Sequence, residues 1–94
     1  MLDIQFRGDD LLTLAGRFDA SQVEHAMEVF NTIEASCRVD FGELDYISSA
    51  GLGVLLKAQK RLGESGQSLT LANMNNHIKD VFVYAGFDAV FTID

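Results

Sequence analysis

Two hydrophobic periods alternate along this chain, and their order constrains the fold more than any other feature. Leu2, Ile4 and Phe6 alternate with Asp3, Gln5 and Arg7. That is a period of two, the mark of a strand with one wet face. Gly8-Asp9-Asp10 is turn chemistry, and Leu12 and Leu14 then alternate with Leu11, Thr13 and Ala15. An antiparallel hairpin is expected. Beyond Gly16-Arg17-Phe18-Asp19 the period changes. Val23, Ala26, Met27, Phe30 and Ile33 share one helical face, and Glu24, Glu28, Asn31 and Glu34 lie largely on the other, which predicts an amphipathic helix of about four turns. Ser21 with Glu24 fits a capping box, and Asp19 is a competing cap.

The alternation then repeats. Arg38-Val39-Asp40-Phe41 reads as a short third strand and Gly42-Glu43-Leu44-Asp45 as a connection. Tyr46-Ile47 runs into Ser48-Ser49-Ala50-Gly51-Leu52-Gly53, where a second helix begins. Its Leu52, Leu55, Leu56 and Leu62 are expected to face a core, with Lys57, Lys60, Arg61 and Glu64 in water. Gly63 suits a left-handed C-cap. Ser68-Leu69-Thr70-Leu71 reads as a fourth strand, and Asn73 or Asn75 can cap a third helix with a stripe of Ile78, Val81, Phe82 and Ala85. Gly86 suits its end, and Val90 to Ile93 reads as a last strand or an extended segment.

The order is β-β-α-β-α-β-α-(β). This predicts an α/β domain with a mixed, mostly parallel sheet of four to five strands, an N-terminal hairpin and three packed helices. Right-handed crossovers would put successive helices on a consistent face. No proline, repeat or low-complexity tract marks a linker, so residues 1–94 are read as one domain.

Composition narrows the function. The formal net charge of −7 argues against binding to nucleic-acid backbone, which needs clustered Lys and Arg, and favours basic partner surfaces. The single cysteine, Cys37, is expected to be a buried structural thiol. His25 and His77 lie far apart, and no Cys/His cluster has metal-ligand spacing. The chain lacks Gly-x-Ser-x-Gly and the phosphate-binding Gly-x-x-x-x-Gly-Lys-Ser/Thr, so neither an enzyme nor a cofactor is expected. No basic leader precedes an apolar block and no apolar run nears the roughly 20 residues that cross a bilayer. A reduced, cytoplasmic setting without membrane insertion is the expectation.

The Ser48-Ser49 pair carries the chemistry. A serine at a helix start can cap free backbone N–H groups, and the same place favours a phosphate. Gly51 and Gly53 either let another protein approach closely or permit tight helix–sheet packing. The spacing alone leaves capping and switching both open.

Val39-Asp-Phe-Gly-Glu-Leu-Asp-Tyr-Ile-Ser-Ser-Ala-Gly-Leu-Gly53 resembles the signature of the STAS domain (sulphate transporter and anti-sigma-factor antagonist), most closely its small bacterial anti-sigma-factor antagonists. Gly16-Arg17-Phe18-Asp19, Gly66-Gln67-Ser68-Leu69-Thr70-Leu71 and Ala85-Gly86-Phe87 with Val90-Phe91 resemble other family segments, so the likeness covers nearly the whole chain. It implies a phosphorylated serine two residues before Gly51-Leu52, which is Ser49, with Ser48 the second candidate. Many family members carry Asp directly before the acceptor; Ser48 stands there in this chain. The resemblance further implies partners: an anti-sigma factor with GHKL-type serine kinase activity, bound by the unphosphorylated form, and a PP2C-type phosphatase that restores it. The expected partner-binding set is Asp19, Ser48, Ser49, Ala50, Gly51, Gly53 and Lys57. The alternative is a permanently bound STAS scaffold subunit, as in a lipid-transport ABC complex, where the serine need not be phosphorylated.

Overall fold

Strands β1 (Leu2–Phe6) and β2 (Leu11–Phe18) pair antiparallel in a computed structural model that describes residues 1–94. The Arg7 amide donates to the Leu11 carbonyl at 2.8 Å, and Gly8 takes a left-handed φ of 82° in the turn. From β2 onward the chain winds in one direction. Helix α1 (Val23–Phe30) leads to β3 (Cys37–Ile47), α2 (Ser49–Gly63) to β4 (Leu69–Ala72), and α3 (Asn76–Tyr84) to β5 (Thr92–Ile93). The sheet order is β1-β2-β3-β4-β5, with every pair after the hairpin parallel. Successive right-handed crossovers that never reverse place all three helices on one face.

Register shows what that face buries. Leu12, Val39 and Leu71 are lateral neighbours and fully buried, as are Leu14 and Leu69. The opposite face carries Thr13, Arg38, Asp40, Thr70 and Thr92, none of them buried. Under the helices, Phe82 of α3 meets Phe41 and Phe91 edge-on at 5.9 Å each. These contacts anchor the C-terminal segment to the centre of the sheet.

The expected fold class and element order stand; several local expectations do not. β2 runs on to Phe18, beyond Ala15. β3 is one continuous strand of 11 residues, including the stretch expected to be a connection. Between Thr13 and Ala15 of β2, β3 advances from Asp40 to Glu43; between Gly16 and Arg17 it advances from Leu44 to Tyr46. Each step inserts one extra residue, a bulge that resets the alternation. The buried positions therefore go Phe41, Leu44, Ile47 at intervals of three, and a period-two reading loses the strand.

α1 is eight residues, entered through a 3-10 turn at Ala20–Gln22, and so shorter than four turns. The turn is capped by Asp19, whose carboxylate accepts from the Ser21 amide; Ser21 lies inside it. At its other end α1 has no basic residue of its own. Arg61 serves instead, donating through Nη2 to the Phe30 carbonyl at 2.9 Å and the Ile33 carbonyl at 2.7 Å. Arg61 thus leaves the solvated face of α2 and neutralises the carbonyl end of a neighbouring helix.

The left-handed residue after α2 is Gly66, with φ 78°, rather than Gly63. The Gln67 amide donates to the Leu62 carbonyl and the Gly66 amide to that of Gly63, the paired bonds of a Schellman ending. Asn75, not Asn73, caps α3 by accepting from the Ile78 amide at 2.8 Å. Gly86 follows α3 with φ 77° as expected, while Ala85 is exposed rather than in the buried stripe. Cys37 is buried, and desolvation raises its thiol above the ordinary value.

Candidate functional site

β2 and β3 end together. Phe18 pairs with Ile47, and the Ser48 amide donates to the Phe18 carbonyl at 2.9 Å. Asp19 and Ser48 therefore leave the sheet side by side at its C-terminal edge. Each starts a helical element: Asp19 the turn into α1, Ser48 helix α2. That turn packs against α2, so both caps belong to one corner of the molecule.

The two serines do different things. Ser48 is extended (φ −90°, ψ 169°), half-buried, and its Oγ accepts from the Gly51 amide at 3.2 Å. Its carbonyl accepts the first helical bond, from Leu52 at 3.0 Å. This is N-cap geometry. Ser49 is the first helical residue, is exposed, and its hydroxyl stays outside the capping bonds. The amides of Ser49 and Ala50 remain the free donors of the first turn.

The glycines differ as well. Gly51 is buried, and a Cβ there would lie 2.9 Å from Ile47 Cγ1 and 3.0 Å from Phe18 Cδ1. The close approach at Gly51 is thus within the molecule: α2 rests directly on the ends of β2 and β3. Of the two roles open to Gly51, the structure gives it tight helix–sheet packing. A Cβ on Gly53 would meet nothing within 4 Å. Ser49, Gly53 and Lys57 follow at intervals of four, with Ala50 beside them. They form one outward stripe on α2, in which Ser49, Ala50 and Lys57 are exposed.

Asp19 holds its own network. Its Oδ1 accepts from the Ser21 hydroxyl at 2.5 Å and the Ser21 amide at 3.1 Å. The hydroxyl bond is the main cause of a carboxyl acidity above the ordinary, with the amide bond adding to it. A third residue, not singled out from the sequence, extends the network: Gln22 Nε2 donates to Ser21 Oγ at 3.2 Å, while Gln22 Oε1 accepts from the Leu2 amide at 3.2 Å. Arg17 also joins the corner unannounced, its guanidinium 4.4 Å above the Tyr46 ring. These two residues pair across β2 and β3, and only the bulged register, invisible to periodicity, brings them together. No cavity marks the corner and no three His, Cys, Asp or Glu side chains cluster to hold a metal. No helix is long and apolar enough to cross a membrane.

The chain is similar to known proteins in sequence and in fold. Residues 3–93 match the family described as Mlab, STAS domain. The anti-sigma-B factor antagonist of Listeria monocytogenes is 30% identical over 98 residues, covering 98% of this chain and 86% of that protein. BtrV of Bordetella bronchiseptica, a candidate anti-sigma factor antagonist, is 42% identical over 55 residues, covering 58% of this chain; the match spans 47% of BtrV, about half its length. The fold superposes on that of SpoIIAA in its unphosphorylated form with a TM-score of 0.74 at 16% identity, over 100% of this chain and 87% of the other. For SpoIIAA in its phosphorylated form the TM-score is 0.73 at 17% identity, over 100% and 91%. An antagonist from Mycobacterium paratuberculosis gives 0.83 at 13% identity, over 99% and 83%. A match along nearly the whole chain, over the expected element order, makes this protein a member of the STAS family, among its anti-sigma factor antagonists.

Proposed function

We propose that this protein is a phospho-switched docking module that binds an anti-sigma factor through the outward stripe of α2, and that phosphorylation of Ser49 releases it. The observation that carries the reading is the division of labour between the serines. Ser48 is committed to the cap, whereas Ser49 presents an uncommitted, exposed hydroxyl on the stripe. A kinase can reach Ser49 without unmaking the helix.

The energetics favour a switch that acts on the partner rather than on the fold. Phosphate adds about −1.5 to −2 charge and three acceptor oxygens. The free amides at the start of α2 and its dipole tolerate that charge. Asp19, ionised at neutral pH, adds to the negative field at the same corner. A partner packed on Ser49, Ala50, Gly53 and Lys57 would meet new bulk and the added negative charge. A penalty of about 3 kcal/mol weakens binding by more than a hundredfold. SpoIIAA has this fold in both its unphosphorylated and phosphorylated forms, which supports a fold that survives modification. In this reading the anti-sigma factor is itself the serine kinase, with a GHKL-type ATP site, and a PP2C-type phosphatase reverses the mark.

The test is a pull-down with wild-type, Ser49→Ala and Ser49→Asp baits. Wild type and Ser49→Ala are expected to retain the partner and Ser49→Asp to lose it. Equal recovery by all three contradicts the switch and favours a permanently bound scaffold subunit, as in a lipid-transport ABC complex.

A further inference from the structure

The hairpin leaves one sheet edge open, and its sequence is complementary to itself. β5 is only two residues long, so β1 is the one extended edge of the sheet. The Arg7 amide bonds to Leu11 and the Arg17 amide to the Met1 carbonyl, which turns the polar backbone groups of residues 1, 3, 5 and 7 into the hairpin. Those of Ile4 and Phe6 therefore point outward. Leu2 also points outward, but its amide is already held by Gln22 Oε1. Phe6 remains 48% exposed beside them. A bare edge with an exposed aromatic is a template for another strand.

We infer that β1 pairs antiparallel with β1 of a second copy, about a two-fold axis through Gln5. The register follows from the free groups. Ile4 of one copy stands opposite Phe6 of the other, and each such pair exchanges two backbone bonds, giving four in all. On the open face of the sheet, Asp3 then stands opposite Arg7 of the second copy, and Arg7 opposite Asp3. On the helix-bearing face, Ile4 and Phe6 make two apolar cross-strand pairs. Opposite charges and apolar groups in such positions stabilise the pairing. A register displaced by one residue would turn the bonding groups away from each other and move Asp3 off Arg7. The match is isologous, as a closed dimer requires.

The ladder is also bounded. Continuing it would set Leu2 against Gly8 of the second copy, but the Leu2 amide is occupied and Gly8 lies in the left-handed turn. A short ladder between copies that each carry a net charge of −7 gives a weak dimer, populated toward millimolar concentration. Helix α2 connects β3 to β4, away from this edge. Both Ser49 stripes therefore remain open in the dimer, which would offer a partner two docking faces at once.

The full chain is to be followed by sedimentation velocity from micromolar to millimolar concentration at low salt. Far-UV circular dichroism confirms that each variant is folded. Wild type is expected to show a monomer–dimer equilibrium. Asp3→Arg alone and Arg7→Asp alone place like charges opposite one another twice, so each should weaken the dimer by about tenfold. The two changes together restore both pairs and should restore the dimer. A wild type that stays monomeric throughout overturns the inference and leaves the edge to a strand of another protein. A dimer indifferent to either single change, or not restored by the pair, overturns this interface.

Discussion

Helices α2 and α3 begin in similar ways and end up with different capabilities. Ser48 caps α2 by accepting from the third amide beyond it, and Asn75 does the same for α3. At α3 a three-residue connection, with Asn73 at φ 60°, separates strand from helix. At α2 a single residue does so, and the helix rests through Gly51 on Phe18 and Ile47. The α3 start is a cap on a loop. The α2 start is a cap fixed against two strand ends, with a second hydroxyl left over on the exposed side. A docking switch needs both properties: a surface that holds its shape, and a group whose modification does not disturb it.

The largest expected effect breaks the fixed support. Gly51→Val would drive a branched side chain into Ile47 and Phe18, where even a Cβ lies at 2.9–3.0 Å. Overpacking of this kind costs about 1–3 kcal/mol, offset only by the few tenths of a kcal/mol by which valine outranks glycine in a helix. The urea midpoint should fall accordingly. Gly53→Ala, two residues on, meets open space and should raise stability by about 0.5–1 kcal/mol. If the two changes act alike, α2 does not rest on the strand ends through Gly51.

A smaller effect separates cap from acceptor. Ser48→Ala and Asn75→Ala should each cost about 1 kcal/mol, because each strips one capping bond. Ser49→Ala should stay within about 0.5 kcal/mol of wild type, as surface changes away from such features do. Thermal melts of the three variants measure the contrast directly. Equal losses at Ser48 and Ser49 would erase the difference between the hydroxyls.

The smallest effect concerns the neighbouring cap. The Ser21 hydroxyl, then its amide, hold the Asp19 carboxyl below the ordinary 3.8. A lowered folded-state pKa contributes stability that is present above the unfolded value and lost as pH falls through the folded one. Asp19→Asn should therefore be less stable than wild type at pH 6. The gap should narrow as the pH drops below about 4. Paired urea titrations from pH 6 to pH 2 test this, and a gap that widens in acid would contradict it.

The sequence carried the element order because the hydrophobic period switches cleanly between two and 3.6. It carried the serine corner because two adjacent hydroxyls and two glycines stand where the period changes from strand to helix. What it hid was hidden for physical reasons. The two bulges of β3 shift the buried residues to intervals of three, so a central strand looked like a strand and a loop. Arg61 looked solvated because its partners, the Phe30 and Ile33 carbonyls, belong to another helix. Gly63 and Gly66 are alike in composition, and only the backbone bonds to Leu62 and Gly63 place the left-handed residue at Gly66. Gly51 and Gly53 are equally small, yet one is enclosed and the other open, a contrast set by long-range packing.

In the proposed switch, the Ser48 hydroxyl builds the corner and the Ser49 hydroxyl takes the phosphate. The most direct test is to incubate the protein with the proposed anti-sigma kinase and ATP, then map the phosphate by mass spectrometry and record the melting temperature. Phosphate on Ser49 alone, with the fold retained, is the expected result. Phosphate on Ser48, or on neither serine, would contradict it.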